Sequence, residues 1–214
     1  MKRKQFEWYL SSFTSFKNPK IELEQYSTSS ELCIDIITTI EDLIGFENKK
    51  VADLGCGPGI LLLGAGAFEP SMLVGFDIDN EALDVCRENI ENSELEESIN
   101  IELVNCDLLN SNDIERYKDM FDIIITNPPF GTKNNAGIDI KFIEVGLKML
   151  KSGGSLFSLH KTSTRNFILK HGNGIEDIEC ECIAQLRWNL DKTYKFHKQK
   201  TKDIDVDLIR FHKK

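Results

Sequence analysis

The stretch Asn127-Pro128-Pro129-Phe130-Gly131 follows the apolar run Phe121 to Ile125 and carries the most chemistry in the sequence. An amide followed by two prolines and an aromatic ring makes a poor ordinary turn and a good rigid shelf, because each proline fixes its own φ and restrains the residue before it. Such a shelf suits methylation of a planar amine. The lone pair of an exocyclic amine is delocalised into its ring. Acceptors on the Asn127 side chain and the Pro128 carbonyl would bond its two hydrogens and favour the tetrahedral, nucleophilic nitrogen. Phe130 would stack on the base and hold it in line with the methyl donor. No strong base is needed, since the product ammonium is acidic enough to lose its proton to the shelf or to water.

Three other segments supply groups for holding a nucleoside-like donor. Asp53-Leu54-Gly55-Cys56-Gly57-Pro58-Gly59 puts a glycine-rich turn between a strand and a helix, where backbone must approach a ligand closely, and it lacks the Lys-Ser/Thr pair of a phosphate-binding loop. Asp77, in Gly75-Phe76-Asp77-Ile78-Asp79, stands 24 residues after Asp53, the spacing at which a carboxylate meets ribose hydroxyls. Asp79 reads as the N-cap of the following helix. Asp107, in Asn105-Cys106-Asp107, is placed to accept from an adenine amine.

These turns require a scaffold that brings strand ends together. Strand-like runs at Val51 to Leu54, Met72 to Phe76, Ile99 to Val104, Phe121 to Ile125 and Ser155 to Leu159 alternate with helical patterns near 59–67, 80–93 and 138–150. Ahead of them, Phe6, Tyr9, Leu10 and Phe13 predict a helix over 3–13. Thr28 and Glu31 form a capping pair for a second helix ended by Gly45. The runs Ile183 to Leu190 and Ile204 to Phe211 read as an antiparallel pair at the sheet edge. The expectation is a Rossmann-like α/β sheet, mostly parallel, with an antiparallel C-terminal edge strand and helices on both faces. At 214 residues, 41% hydrophobic and 29% charged, the chain suits a single domain spanning 1–214 with a helical N-terminal extension over 1–20.

No run approaches the roughly 18 to 20 apolar residues of a membrane span, and the start Met-Lys-Arg-Lys-Gln-Phe-Glu is charged where a signal peptide is apolar. An intracellular protein without membrane attachment is expected. The six cysteines include one C-x-C and no C-x-x-C, so they read as buried small hydrophobes and no metal site is expected.

With these residues in place, the sequence resembles the S-adenosylmethionine-dependent methyltransferases of the seven-stranded Rossmann-like class, in the amino-methylating branch with an Asn-Pro-Pro-aromatic shelf. Leu23 to Thr28, Val51 to Gly59, Gly75 to Asp79, Asn127 to Asn135, Ser158 to Lys161, Tyr194 to Lys198 and Ile204 to Phe211 make it similar to the methyltransferase-like protein five family. These are the eukaryotic small-subunit (18S) ribosomal RNA N6-adenosine methyltransferases. Pro58 departs from the expected glycine loop, and 1–16, 91–120 and 165–182 are weakly similar. The resemblance implies S-adenosyl-L-methionine as cofactor, contacted by Gln25, Thr28, Asp53, Gly55, Gly57, Pro58, Ile60, Asp77, Asp107 and Leu108, with Asn127 facing both methyl and substrate. It also implies a small zinc-binding activator protein covering a sheet edge next to Ile99 to Val104, and a place in cytoplasm and nucleus, the nucleolus included.

The formal net charge of −9 argues against nucleic acid until it is resolved by segment. Residues 69–122 hold 16 acidic and 3 basic side chains, whereas 192–214 hold 3 acidic and 8 basic. Lys195 and Lys198, interleaved with Tyr194, Phe196 and His197, combine phosphate-binding charge with base-stacking surface. Lys133, His160 and Lys161 join them as candidate substrate-binding residues. Methylation of a protein glutamine amide or of another base amine uses the same shelf, and a non-catalytic ribosome assembly factor is a rival of another class. Phe130, where the glutamine branch commonly has tyrosine, and the lysine-aromatic loop favour RNA.

Overall fold

The computed structural model describes residues 2–93, 95, 98–110, 112–131, 135–191 and 201–214. Seven strands form one sheet: β1 (Lys50–Leu54), β2 (Met72–Asp77), β3 (Asn100–Asn105), β4 (Phe121–Thr126), β5 (Leu150–Lys161), β6 (Ile178–Asp191) and β7 (Thr201–Lys213). Their order is β3-β2-β1-β4-β5-β7-β6. The first five run parallel, and β7 lies antiparallel to both of its neighbours. The expected doubly wound sheet and its antiparallel C-terminal pair are present; β7 is the strand that runs against the others, and it lies inside the sheet with β6 at the edge. Burial explains the choice. Val206, Leu208, Ile209 and Phe211 of β7 are all buried, which demands a covered position, while β6 exposes much of its length.

Six α-helices flank the sheet among the described residues: α1 (Arg3–Ser11), α2 (Ser30–Ile44), α3 (Ile60–Gly66), α4 (Asn80–Ser93), α5 (Ile138–Met149) and α6 (Arg165–Gly172). The first four cover one face, where Phe6, Leu10, Ile37, Leu62 and Ile90 pack with Ile123, Phe157 and Leu208. α5 and α6 cover the other, where Phe142, Ile143 and Ile168 pack with Leu54, Phe76 and Leu156. Adjacent residues Leu156 and Phe157 serve opposite faces, as the two-residue period of a strand requires. The N-terminal helix is thus part of the core through Phe6 and Leu10.

The cap of α2 differs from the sequence expectation in a way that bears on function. Ser29 accepts a hydrogen bond from the Leu32 amide at 3.2 Å and is the N-cap. Thr28 is left outside the helix. α6 falls where the sequence pattern predicts no helix, because only Ile168 and Leu169 supply apolar contact with its core. All six cysteines are free and five are buried. No helix among the described residues is long and apolar enough to cross a membrane.

Candidate active site

The strand order reverses between β1 and β4, the switch point at which doubly wound sheets take ligands beyond the carboxyl ends of their strands. Thr126 fixes this junction: its hydroxyl donates to the Leu54 carbonyl at 2.7 Å, locking the end of β4 to the end of β1. A cavity of about 450 Å³ opens there, within the usual range for small-molecule sites. The eleven residues read from the sequence as cofactor contacts all line it: Gln25, Thr28, Asp53, Gly55, Gly57, Pro58, Ile60, Asp77, Asp107, Leu108 and Asn127.

Their side chains are not equally available. Gln25 accepts from the Lys20 amide at 2.7 Å and donates to Asp79 at 2.7 Å, so its amide braces the wall of the cavity. Asp77 accepts from the amides of Gly57 and Asp79 at 2.7 and 2.9 Å, which fixes the glycine turn against β2. Burial raises its carboxyl above the usual carboxylate range, with those amides working the other way. Asp107 accepts from the Leu109 amide at 3.0 Å and from the Asn110 side chain at 2.6 Å, holding its own turn. Gly55 and Gly57 have φ of +72° and +53°, and a Cβ on Gly57 would come 2.7 Å from Phe16 Cζ. Backbone there passes so close to its neighbours that only glycine fits.

Asp53 is different. It is 1% exposed, and among the described residues neither carboxylate oxygen has a hydrogen-bond partner. Burial, with the charge of Asp77 next, pushes its carboxyl up to about 8, and the nearby Leu62 amide offsets this only in part. An unpartnered buried carboxyl lining a cavity calls for a cationic ligand group. The amino end of S-adenosylmethionine fits that demand, and the glycine turn leaves room for its backbone approach.

On the shelf, Asn127 Nδ2 donates to Thr28 Oγ1 at 3.1 Å. Asn127 and Pro129 line the cavity. The Phe130 ring packs against Trp188, centroids 5.7 Å apart and planes at 79°, with Lys161 Nζ 5.2 Å from its centroid. His160 is 1% exposed, with Nδ1 3.5 Å from Asp139 Oδ2, so it braces the end of β5 from within. Lys133, Tyr194, Lys195, Phe196, His197 and Lys198 lie outside the described residues. The described parts of β6 and β7 run past the end of β5: Lys161 pairs with Val206, and β7 continues back to Thr201, which pairs with Asp191.

Sequence reasoning missed a strap over the cavity. Thr14, Ser15 and Phe16 line it, between α1 and the turn at Ile21–Leu23. Asn89 of α4 holds the strap to the glycine turn, accepting from the Thr14 amide at 2.8 Å and donating to the carbonyls of Thr14 and Pro58 at 2.8 and 2.9 Å. Lys17 pairs with Glu88, and Lys20 with Asp79 at 2.6 Å. A lone asparagine in an amphipathic helix carries no such signal. Trp188, the partner of Phe130, was likewise only a strand residue in sequence.

Comparison with known proteins agrees with this geometry. Residues 28–170 match the family model "Methyltransferase small domain". The chain is 48% identical over 96% of its length to rRNA N(6)-adenosine-methyltransferase metl-5 of Caenorhabditis elegans, covering 95% of that protein. It is 46% identical to rRNA N(6)-adenosine-methyltransferase METTL5 of Danio rerio, over 99% of each. The chain belongs to the METTL5 family. A crystal structure from Pyrococcus horikoshii superposes with a TM-score of 0.83 at 29% identity, covering 100% of this chain and 98% of that one. The Asp53 cavity and the Asn127 shelf of this METTL5-family chain thus lie on a methyltransferase fold.

Proposed function

We propose that the chain transfers a methyl group from S-adenosyl-L-methionine to the N6 amine of an adenosine in ribosomal RNA, and specifically in the small-subunit (18S) RNA. The observation that carries this reading is the Thr28–Asn127 hydrogen bond beside the cavity. With its NH2 committed to Thr28, the Asn127 amide presents its carbonyl as the acceptor that an exocyclic amine requires. The cofactor, when bound, supplies an electrophilic methyl. Asp53 would pair with its amino group, Asp77 and Asp107 would accept from its ribose and adenine ends, and Gly55 and Gly57 would let it lie against backbone. Asn127 and the Pro128 carbonyl would orient the target nitrogen. Names of the C. elegans and D. rerio relatives support rRNA as substrate.

A zinc-binding activator protein belongs to the same proposal. Among the described residues β3 pairs only with β2, which leaves its outer edge open, and its Ile101 and Leu103 are half-buried. A partner that adds to this edge would remove an aggregation-prone surface. An rRNA substrate supports the expectation of a place in cytoplasm and nucleus.

The test is incubation with labelled cofactor and separate counting of RNA and protein, together with N6-methyladenosine mapping of rRNA from cells with and without the protein. Label in RNA at one adenosine, absent from the deleted strain, is the expected result. Label confined to protein overturns the RNA reading in favour of an amide or other amine.

A further inference from the structure

The described surface holds a second feature that the shelf and the cavity do not use. From Val145 to Ile175 the sequence contains no aspartate or glutamate and five lysines and arginines, in a chain of net charge −9. The centre of this run is the turn Thr162–Thr164 and α6, which begin where β5 ends beside Phe130. Ser163, Asn166, Phe167 and Lys170 are exposed at spacings of three and four, one stripe of a helix, while Ile168 and Gly172 on the opposite side are buried. Phe167 is 61% exposed. One exposed aromatic means little alone; here hydroxyl, amide, ring and ammonium groups line up on one face.

The stripe is held rigidly. Arg165, the first residue of α6, forms two hydrogen bonds of 2.6 Å to Asp207, which is fully buried in β7 and also accepts from the Thr162 hydroxyl at 2.9 Å. At the other end, a Cβ on Gly172 would come within 2.7 Å of Cys180 and Phe211, so the helix sits directly on the sheet. The His171 ring lies 6.4 Å from that of Phe167 with 23° between their planes and limits its orientation.

We propose that this face of α6 is an RNA-docking surface for nucleotides flanking the target adenosine, with one unpaired base stacked on Phe167 and Lys170 set against the phosphates. Charge complementarity selects the occupant: Arg165 is spent on Asp207, but Lys161 and Lys170, beside and on α6, have no ion pair with an acidic group among the described residues and suit a polyanion, and a flat exposed ring suits a base. Phe167 is six residues from Lys161, roughly 10 Å along the turn and first helical residues, so the surface adjoins the shelf. The proposal rests on the RNA-methylation reading and adds to it a contact outside the pocket.

The test compares wild type with Phe167→Ala, Phe167→Tyr and Lys170→Gln, using an rRNA fragment and a minimal oligonucleotide that lacks the flanks. Binding is measured by fluorescence anisotropy and transfer by steady-state kinetics. Phe167→Ala should raise both the dissociation constant and KM for the fragment about tenfold with kcat within twofold, while Phe167→Tyr restores both. On the minimal oligonucleotide the difference should vanish. Lys170→Gln should weaken binding several-fold and lower the salt slope by about one. Unchanged fragment binding in Phe167→Ala overturns the surface. If wild type transfers no methyl to RNA, the reaction reading fails, and the anisotropy comparison still decides the surface.

Discussion

Thr28 and Asn127 are 99 residues apart in sequence and share a hydrogen bond of 3.1 Å in which the amide nitrogen donates to the hydroxyl oxygen. The bond joins the segment ahead of α2 to the end of β4 and sets which end of the amide meets a substrate. It is possible because Ser29, one residue later, takes the helix cap.

Replacing Thr28 by valine keeps the shape and removes the hydroxyl. Helix capping by Ser29 persists, so the melting temperature should stay within about 2 °C, whereas kcat should fall about tenfold as the amide loses its orientation. Thr28→Ser should recover most of the rate. Asn127→Ala should fold, bind cofactor and lose transfer by at least about 100-fold. Steady-state kinetics with calorimetric cofactor titration separates the two effects.

Asp53 makes the stability of the cofactor-free protein depend on pH. Its folded carboxyl, at about 8, lies above the ordinary 3.8, so between these values the folded state holds a proton that the unfolded chain has released. The stabilising contribution is complete below 3.8 and is lost progressively as the pH rises to about 8. Thermal melts between pH 5 and 8 should show falling stability in the wild type and a flatter profile in Asp53→Asn. Cofactor binding near pH 7 should release a proton, read as a dependence of the calorimetric heat on buffer ionisation enthalpy.

Asn89 joins the strap to the glycine turn through three hydrogen bonds. Asn89→Ala leaves the Thr14 amide and two carbonyls without these partners and should cost about 2 kcal/mol. Cofactor dissociation, followed by competition in stopped flow, should accelerate by an order of magnitude. Unaltered dissociation means the strap does not cover the bound ligand.

Gly57→Ala combines a φ of +53° with a Cβ 2.7 Å from Phe16. Relief requires Phe16 and the strap to move, so cofactor affinity should fall at least about tenfold with the sheet intact by circular dichroism.

The catalytic end of the molecule was legible because strand ends concentrate its groups: Asp53, Asp77, Asp107 and Asn127 each follow an apolar run, and parallel topology makes those ends converge. What escaped depends on packing between distant segments. Asn89 is unexceptional in α4 until Thr14 and Pro58 approach it, and Trp188 reads as one more strand residue until Phe130 meets it edge-on. Thr28 read as a cap because its position before Glu31 fits a capping box equally well; the two alternatives differ by one residue of helix start. α6 has too few apolar residues to show a period.

The order β3-β2-β1-β4-β5-β7-β6 also spaces the occupants along a line. Four inter-strand steps, about 19 Å, separate the open edge at β3 from β5, with the Asp53 cavity between them. The edge proposed for a protein partner and the α6 face proposed for RNA thus lie at separate places on the sheet, on either side of the cavity. The activator proposed for that edge would then act by raising the number of competent molecules. Titrating it into the enzyme should increase the maximal rate in proportion to complex formed and leave the KM for RNA unchanged.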